Sequence, residues 1–279
     1  MSYKTILVHL HDNTRRDSLM SAAIGVARSF DAHLVGLAVQ PPIVVVPGMD
    51  SGPAVVIEDH RVAYRTDIAR LKAAFETAMQ GQTFGYEWRE ADAAYHDVAT
   101  QILDQGRCAD LIVASQKDPK WHFSEYLEAP DRLVLESGRP VLLLPKTGEV
   151  YDFGKRIVVA WNGRRESARA VFDALPLLKK ASEVIVVWIN PQEDGEAAGD
   201  LPGVDICTAL ARHGVQCEAT QNIQPSVDVG ATLLSTVKNN AADMLVMGCY
   251  GHSRLREFVF GGATRHVLDS MTVPVLMAH

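Results

Sequence analysis

The sequence predicts an α/β protein of two tandem doubly wound domains, each a five-stranded parallel sheet flanked by helices. Three observations lead there. Short continuous apolar runs such as 6–8 (ILV) and 157–159 (IVV) read as parallel strands buried on both faces. These runs alternate with helical patterns, which implies right-handed crossovers within a parallel sheet. Finally, the chain repeats itself: 109–114 (ADLIVA) parallels 242–247 (ADMLVM) at an offset of 133 residues. The same offset carries 132–137 (RLVLES) onto 265–270 (RHVLDS), and after one residue of adjustment 139–144 (RPVLLL) falls on 273–278 (VPVLMA). Such self-similarity marks an internal duplication.

The elements follow in order. Residues 4–10 and 155–161 each set a basic residue before an apolar strand, and each leads through a polar loop to a helix, at 18–30 and 167–179. Ser18 and Ser167 stand at the expected helix starts, where a hydroxyl can satisfy free N–H groups. Second strands are expected at 33–39 and 183–189. The first half continues with a helix at 57–79, a strand at 84–89 and a helix at 95–105; the second continues with 204–213, 215–221 and 227–239. The domains are drawn as 1–148 and 153–279, joined by the short polar stretch 146–154. Residues 41–54, rich in Pro, Gly and Val, are an insertion of the first half expected to lie against the protein surface. The runs at 141–144 and 275–277 could pair within the chain and cover two sheet edges, making an intramolecular pseudo-dimer; a homodimer stays open as well.

Composition narrows the function. With 279 residues, 47% hydrophobic and 22% charged, the chain has an ordinary globular make-up. A net charge of -7 argues against a general nucleic-acid partner, which needs a basic face, while leaving small anions open. Cys108, Cys207, Cys217 and Cys249 show no C-x-x-C spacing and read as buried or half-buried thiols of a reducing compartment. The opening residues lack the charged and apolar regions of a signal peptide, and no apolar run is long enough for membrane insertion, so a cytoplasmic location is expected.

The chemistry concentrates near the C-terminus. Met247 leads into Gly248, Gly251 follows, and after nine residues Gly261 and Gly262 precede Ala263, Thr264 and a helix at 264–270. Glycines let backbone approach an anion closely, and a helix start supplies unpaired N–H groups and the positive end of its dipole. The first half replaces these glycines with Ser115, Asp118, Glu128 and Ala129, so side chains fill the approach and two carboxylates face it.

The Gly248-x2-Gly251-x9-Gly261-Gly262 spacing resembles the nucleotide-binding pattern of the universal stress protein family, and the resemblance spans the chain as a tandem pair. It implies an adenine nucleotide alpha hydrolase-like fold. It also implies that ATP or AMP binds the second domain, with Mg as a companion of ATP. On that resemblance the site comprises Ala160 and Asn162 at the end of the first strand, Val187 at the adenine pocket, and Met247, Gly248, Gly251, Gly261, Gly262, Ala263 and Thr264 along the loop and helix start. Two departures stand out. Gly262 occupies the place of a family hydroxyl, for which Thr264 could substitute, and Asn162 replaces an acid that would help hold a metal. An amide can still hydrogen-bond a ribose hydroxyl.

Other candidates stand beside these. His252, Arg254 and Arg256 could touch phosphate oxygens, against the plainer reading of solvated loop side chains. Cys249, near a helix start, reads first as a small residue packed under the loop. His9 and His11 share a strand face, but two histidines do not make a zinc site. Trp121, His122 and Phe123 are expected to plug the first domain's altered pocket. No catalytic residue is assigned: neither G-x-x-x-x-G-K-[ST] nor H-E-x-x-H nor G-x-S-x-G occurs. The expectation is a non-enzymatic stress-response regulator that binds an adenine nucleotide. The alternatives are a slow ATPase and a binding protein for another small or lipid-like metabolite.

Overall fold

The structure is a computed structural model describing residues 2–11, 14–42, 53–93, 97–117, 129–148, 152–189, 203–222, 228–250 and 262–279. It divides into two compact units, Tyr3–Ser137 and a second formed by Gly138–His279 with the first two residues of the chain.

In the first unit, strands β1 (Thr5–His9), β2 (His33–Gln40), β3 (Tyr86–Asp92) and β4 (Leu111–Ser115) stand in the order β3-β2-β1-β4, all parallel. Ile6, Leu34, Leu111 and their neighbours are sealed from water, as expected of strands covered on both faces. Among the described residues four helices accompany them: α1 (Arg16–Phe30), α2 (Pro53–Met79), α3 (Val98–Gly106) and α4 (Ala129–Glu136). Helix α2 buries Tyr64, Leu71, Phe75 and Met79, the one-face spacing of an amphipathic helix. It starts at Pro53, inside the stretch read as an insertion, whose residues 43–52 lie outside the described residues. Asp97 caps α3 by accepting from Thr100 N–H at 2.8 Å.

The second unit holds β5 (Val141–Leu144), β6 (Arg156–Ala160), β7 (Glu183–Ile189), β8 (Cys217–Asn222), β9 (Met244–Gly248) and β10 (Val275–Ala278), in the order β5-β10-β9-β6-β7-β8. Its helices are α5 (Arg165–Asp173), α6 (Leu175–Leu178), α7 (Val204–Arg212), α8 (Val229–Asn239) and α9 (Gly262–Ser270). Each repeat supplies five strands, but β5 of the first packs with the second unit, where it pairs antiparallel with β10. The anticipated pairing of 141–144 with 275–277 is therefore present, with Leu142 opposite Leu276. Both strands are wholly buried, which favours joining them over leaving two apolar edges open.

The duplication has a physical counterpart at the strand starts. Asp110 Oδ2 accepts from Lys4 and Thr5 N–H groups at 2.7 and 3.0 Å. Asp243, its equivalent, accepts from the N–H groups of Gly154, Lys155 and Arg156 at 2.9 to 3.1 Å. In each repeat one aspartate thus fastens the entry of the first strand, β1 or β6, to its neighbour.

The serine caps do not form. Helix α1 starts two residues before Ser18, with Arg15 at the cap position and no side-chain cap. Ser167 lies within α5, where its hydroxyl donates to Arg164 O at 2.8 Å. In both places the preceding arginines enter the helix first, so the serine falls too late to cap. Cys108 is exposed, not buried, because it sits in the turn after α3. Among the described residues no helix is long and apolar enough to cross a membrane.

Candidate functional site

In the second unit β6 lies between β7 and β9, so connections leave it in opposite directions and open a crevice at the strand C-termini. Register places Ala160 beside Val187 on one side and Met247 on the other. Three of the expected site residues therefore form a single row across three strands. Val187 and Met247 are buried and Ala160 is partly open. Trp161 N–H donates to Val187 O at 2.9 Å, extending the sheet by one bond beyond β6. Asn162, exposed, uses its Oδ1 to accept from Arg164 N–H at 3.2 Å, a local Asx turn. That bond leaves its amide N–H groups unused.

Gly248 ends β9 beside Ala278. A Cβ there would lie 2.4 Å from Glu166 C and 2.5 Å from Ser167 N, so the first turn of α5 rests on this glycine. Beside the role in a nucleotide's approach expected of Gly248, the structure shows a packing demand on it from α5. Next to it Cys249 is buried, its Sγ 3.3 Å from Ala278 O, in keeping with a packed thiol. His279 Nδ1 lies 3.0 Å from Cys249 O. Tyr250 has a φ of 55°, a left-handed conformation that a non-glycine residue adopts at some cost. Glu166 is buried and paired with Arg165 at 2.7 Å. Burial pulls its carboxyl upward, but the arginine and a backbone N–H outweigh that and hold it below the usual range.

Helix α9 starts at Gly262, which is exposed, and Ala263 is half-buried. Thr264 is buried, and its Oγ1 accepts from Tyr250 N–H at 3.4 Å, tying the helix start to the end of the glycine-bearing strand. Tight packing sets where this helix begins. A Cβ on Gly230 of α8 would stand 2.8 Å from Ala263 O and 2.7 Å from His266 Cβ.

Sequence reasoning missed Asp228. It caps α8 through Ala231 N–H at 2.8 Å, pairs with His266 Nδ1 at 3.3 Å, and has Oδ2 3.7 Å from where a Gly262 Cβ would be. A carboxylate therefore stands at the mouth of the helix start. The available signal was Asp228 followed at once by an apolar helical run. Gly251, His252, Arg254, Arg256 and Gly261 lie outside the described residues.

At the corresponding corner of the first unit, Ser115 is buried and its hydroxyl donates to Gln116 O at 3.0 Å. Asp118, Trp121, His122, Phe123 and Glu128 lie outside the described residues. His9 and His11 share a face as expected, with rings stacked 5.2 Å apart. Among the described residues no group of three or more His, Cys, Asp or Glu converges as a metal site.

These features define a doubly wound α/β protein whose candidate site combines strand C-termini with a helix start. Residues 154–279 match the universal stress protein family. Universal stress protein Slr1230 of Synechocystis is 49% identical over 172 residues, 60% of this chain; the match spans 57% of that relative's length. A universal stress protein from Archaeoglobus fulgidus has the same fold over 98% of this chain and 95% of its own, at 15% identity and a TM-score of 0.68. A functionally unknown protein from Pseudomonas aeruginosa is alike over 99% of this chain and 92% of its own, at 18% identity and a TM-score of 0.61.

Proposed function

We propose that the second unit binds an adenine nucleotide, ATP or AMP, and that the protein acts as a regulator whose state follows occupancy. The observation carrying this is the Val187, Ala160 and Met247 row ending beside a helix start that exposes Gly262. The apolar row suits a purine, and the amide of Asn162 suits a ribose hydroxyl. The N–H groups of Gly262 and Ala263, with the helix dipole, suit phosphate oxygens. Thr264 and the glycines 251 and 261, with His252 and Arg254, complete the set carried over from the family resemblance. Asn162 offers no carboxylate to a metal, so Mg would enter with ATP on its phosphates.

Equilibrium dialysis with ATP and with AMP tests this reading. Saturable binding at or below millimolar nucleotide is expected, and it should be lost in Ala160→Phe, which fills the centre of the row. Absence of binding at millimolar nucleotide, or binding unchanged by Ala160→Phe in a folded protein, would overturn it. Phosphate release measured on the same samples tests the slow ATPase alternative.

A further inference from the structure

Two of the four cysteines stand together in the second unit. Cys207 lies in α7 and Cys217 opens β8, ten positions further along the chain. The buried side chains of Ile206 and Leu210 seat α7 against the sheet. The start of the helix is close-packed as well: a Cβ on Gly203 would stand 3.4 Å from Val186 Cγ1 of β7 and 3.7 Å from Ala219 Cβ of β8. Packing on both sides of Cys207 thus holds it beside the strand. Cys217 Sγ lies 3.9 Å from Cys207 O, and the two thiols are within hydrogen-bonding reach of each other. Both cysteines are free and only half-buried, so solutes can reach them, whereas Cys249 is buried and Cys108 belongs to the other unit. Among the described residues β8 pairs on one side only, with β7.

Thiols this close can be joined by rotating their side chains, with α7 still seated on β8. We propose that Cys207 and Cys217 are a modification site, at which a low-molecular-weight disulfide such as glutathione disulfide is reduced while the pair is oxidised to a disulfide clamping α7 to β8. The step consists of two thiol–disulfide exchanges. Cys217 attacks first, because the Cys207 thiol donates to its sulfur and steadies the thiolate. A bond from Cys217 Sγ to one reagent sulfur forms as the reagent's own S–S bond breaks, and one thiol leaves. Cys207 then gives up its proton and attacks Cys217 Sγ, expelling the second reagent thiol. The protons of the two cysteines end on the two released thiols, and two electrons pass from the cysteine sulfurs to the reagent. Burial sets the pace. Together with the neighbouring Cys217 it pushes the Cys207 thiol up to about 12, and burial raises Cys217 too, so thiolates are scarce at neutral pH and closure is slow until oxidant accumulates. Once made, the bond secures an outer strand that the reduced protein holds by a single ladder.

The test places the full chain in buffers of graded reduced-to-oxidised glutathione ratio, traps thiols with acid, and maps them by mass spectrometry of proteolytic peptides. A peptide linking Cys207 to Cys217 is expected, its share following the ratio as a two-electron couple, while Cys249 stays a thiol. Its rate of formation should rise about tenfold per pH unit around neutrality, since thiolate is the attacking form. The linked protein should melt roughly 5 to 10 °C above the reduced one, through the loop that the bond closes in the unfolded chain. Cys207→Ser and Cys217→Ser should each lose both the linked peptide and the gain in melting temperature. Both cysteines remaining thiols at the most oxidising ratio, glutathione staying on Cys217 without closure, or an equal melting gain in either serine variant would overturn the proposal.

Discussion

Gly248 and Gly262 both belong to the glycine pattern, yet the structure gives them different work, and paired alanine substitutions separate the two. In Gly248→Ala the new Cβ would meet Glu166 C at 2.4 Å, Ser167 N at 2.5 Å and Glu166 O at 2.6 Å. All three are backbone atoms, so no rotamer change relieves them; α5 must shift from β9. Overpacking of this kind costs about 1 to 3 kcal/mol. For a unit of this size that lowers the melting temperature by roughly 3 to 10 °C. In Gly262→Ala the nearest atom among the described residues is Asp228 Oδ2 at 3.7 Å, an ordinary contact. The helix gains a better former, so stability should hold or rise by up to about 1 kcal/mol. Differential scanning calorimetry reads both, and nucleotide dialysis on the same samples reads function. Gly248→Ala melting with the native protein would refute the packing argument. Gly262→Ala melting well below it would show that the helix start is not as open as described.

Three further outcomes follow. Val187→Trp puts an indole into the row beside Ala160 and should abolish nucleotide binding, with far-ultraviolet circular dichroism checking that the chain still folds; retained affinity in the folded variant counts against the purine position. Asp228→Asn removes a carboxylate beside Gly262 but keeps an acceptor for Ala231 N–H, so ATP should bind several-fold tighter with melting changed little; dialysis at low and high salt checks it. His9 carries a pH signature. Its folded-state value lies well below the ordinary 6.5, through burial first and His11 second, so the unfolded chain takes up a proton that the folded one refuses. Stability contributed by His9 is full above about pH 6.5 and is lost as pH falls below it, and denaturant titrations of His9→Phe should lack that limb.

The central strands could be read directly because burial on both faces turns β1, β4, β6 and β9 into plain apolar runs. The outer strands β3 and β8 are half exposed and polar, and each starts two residues later than expected, at Tyr86 and Cys217. Their limits come from pairing with β2 and β7, which local pattern does not encode. Both serine caps failed for a related reason: an arginine turn that begins each helix leaves no periodic mark. At the candidate site the glycine spacing was legible, and register then brought Ala160, Val187 and Met247 together. The resting of α5 on Gly248 and the reach of Asp228 toward Gly262 arise between elements far apart in the chain, so no short window of sequence contains them.

Because β5 packs with the second unit, the repeat and the compact unit are cut at different points. A fragment starting at residue 153, where the second repeat starts, would leave β10 without its antiparallel neighbour and bare a row of backbone donors and acceptors. Such a fragment should seek a second copy of itself to replace the missing strand.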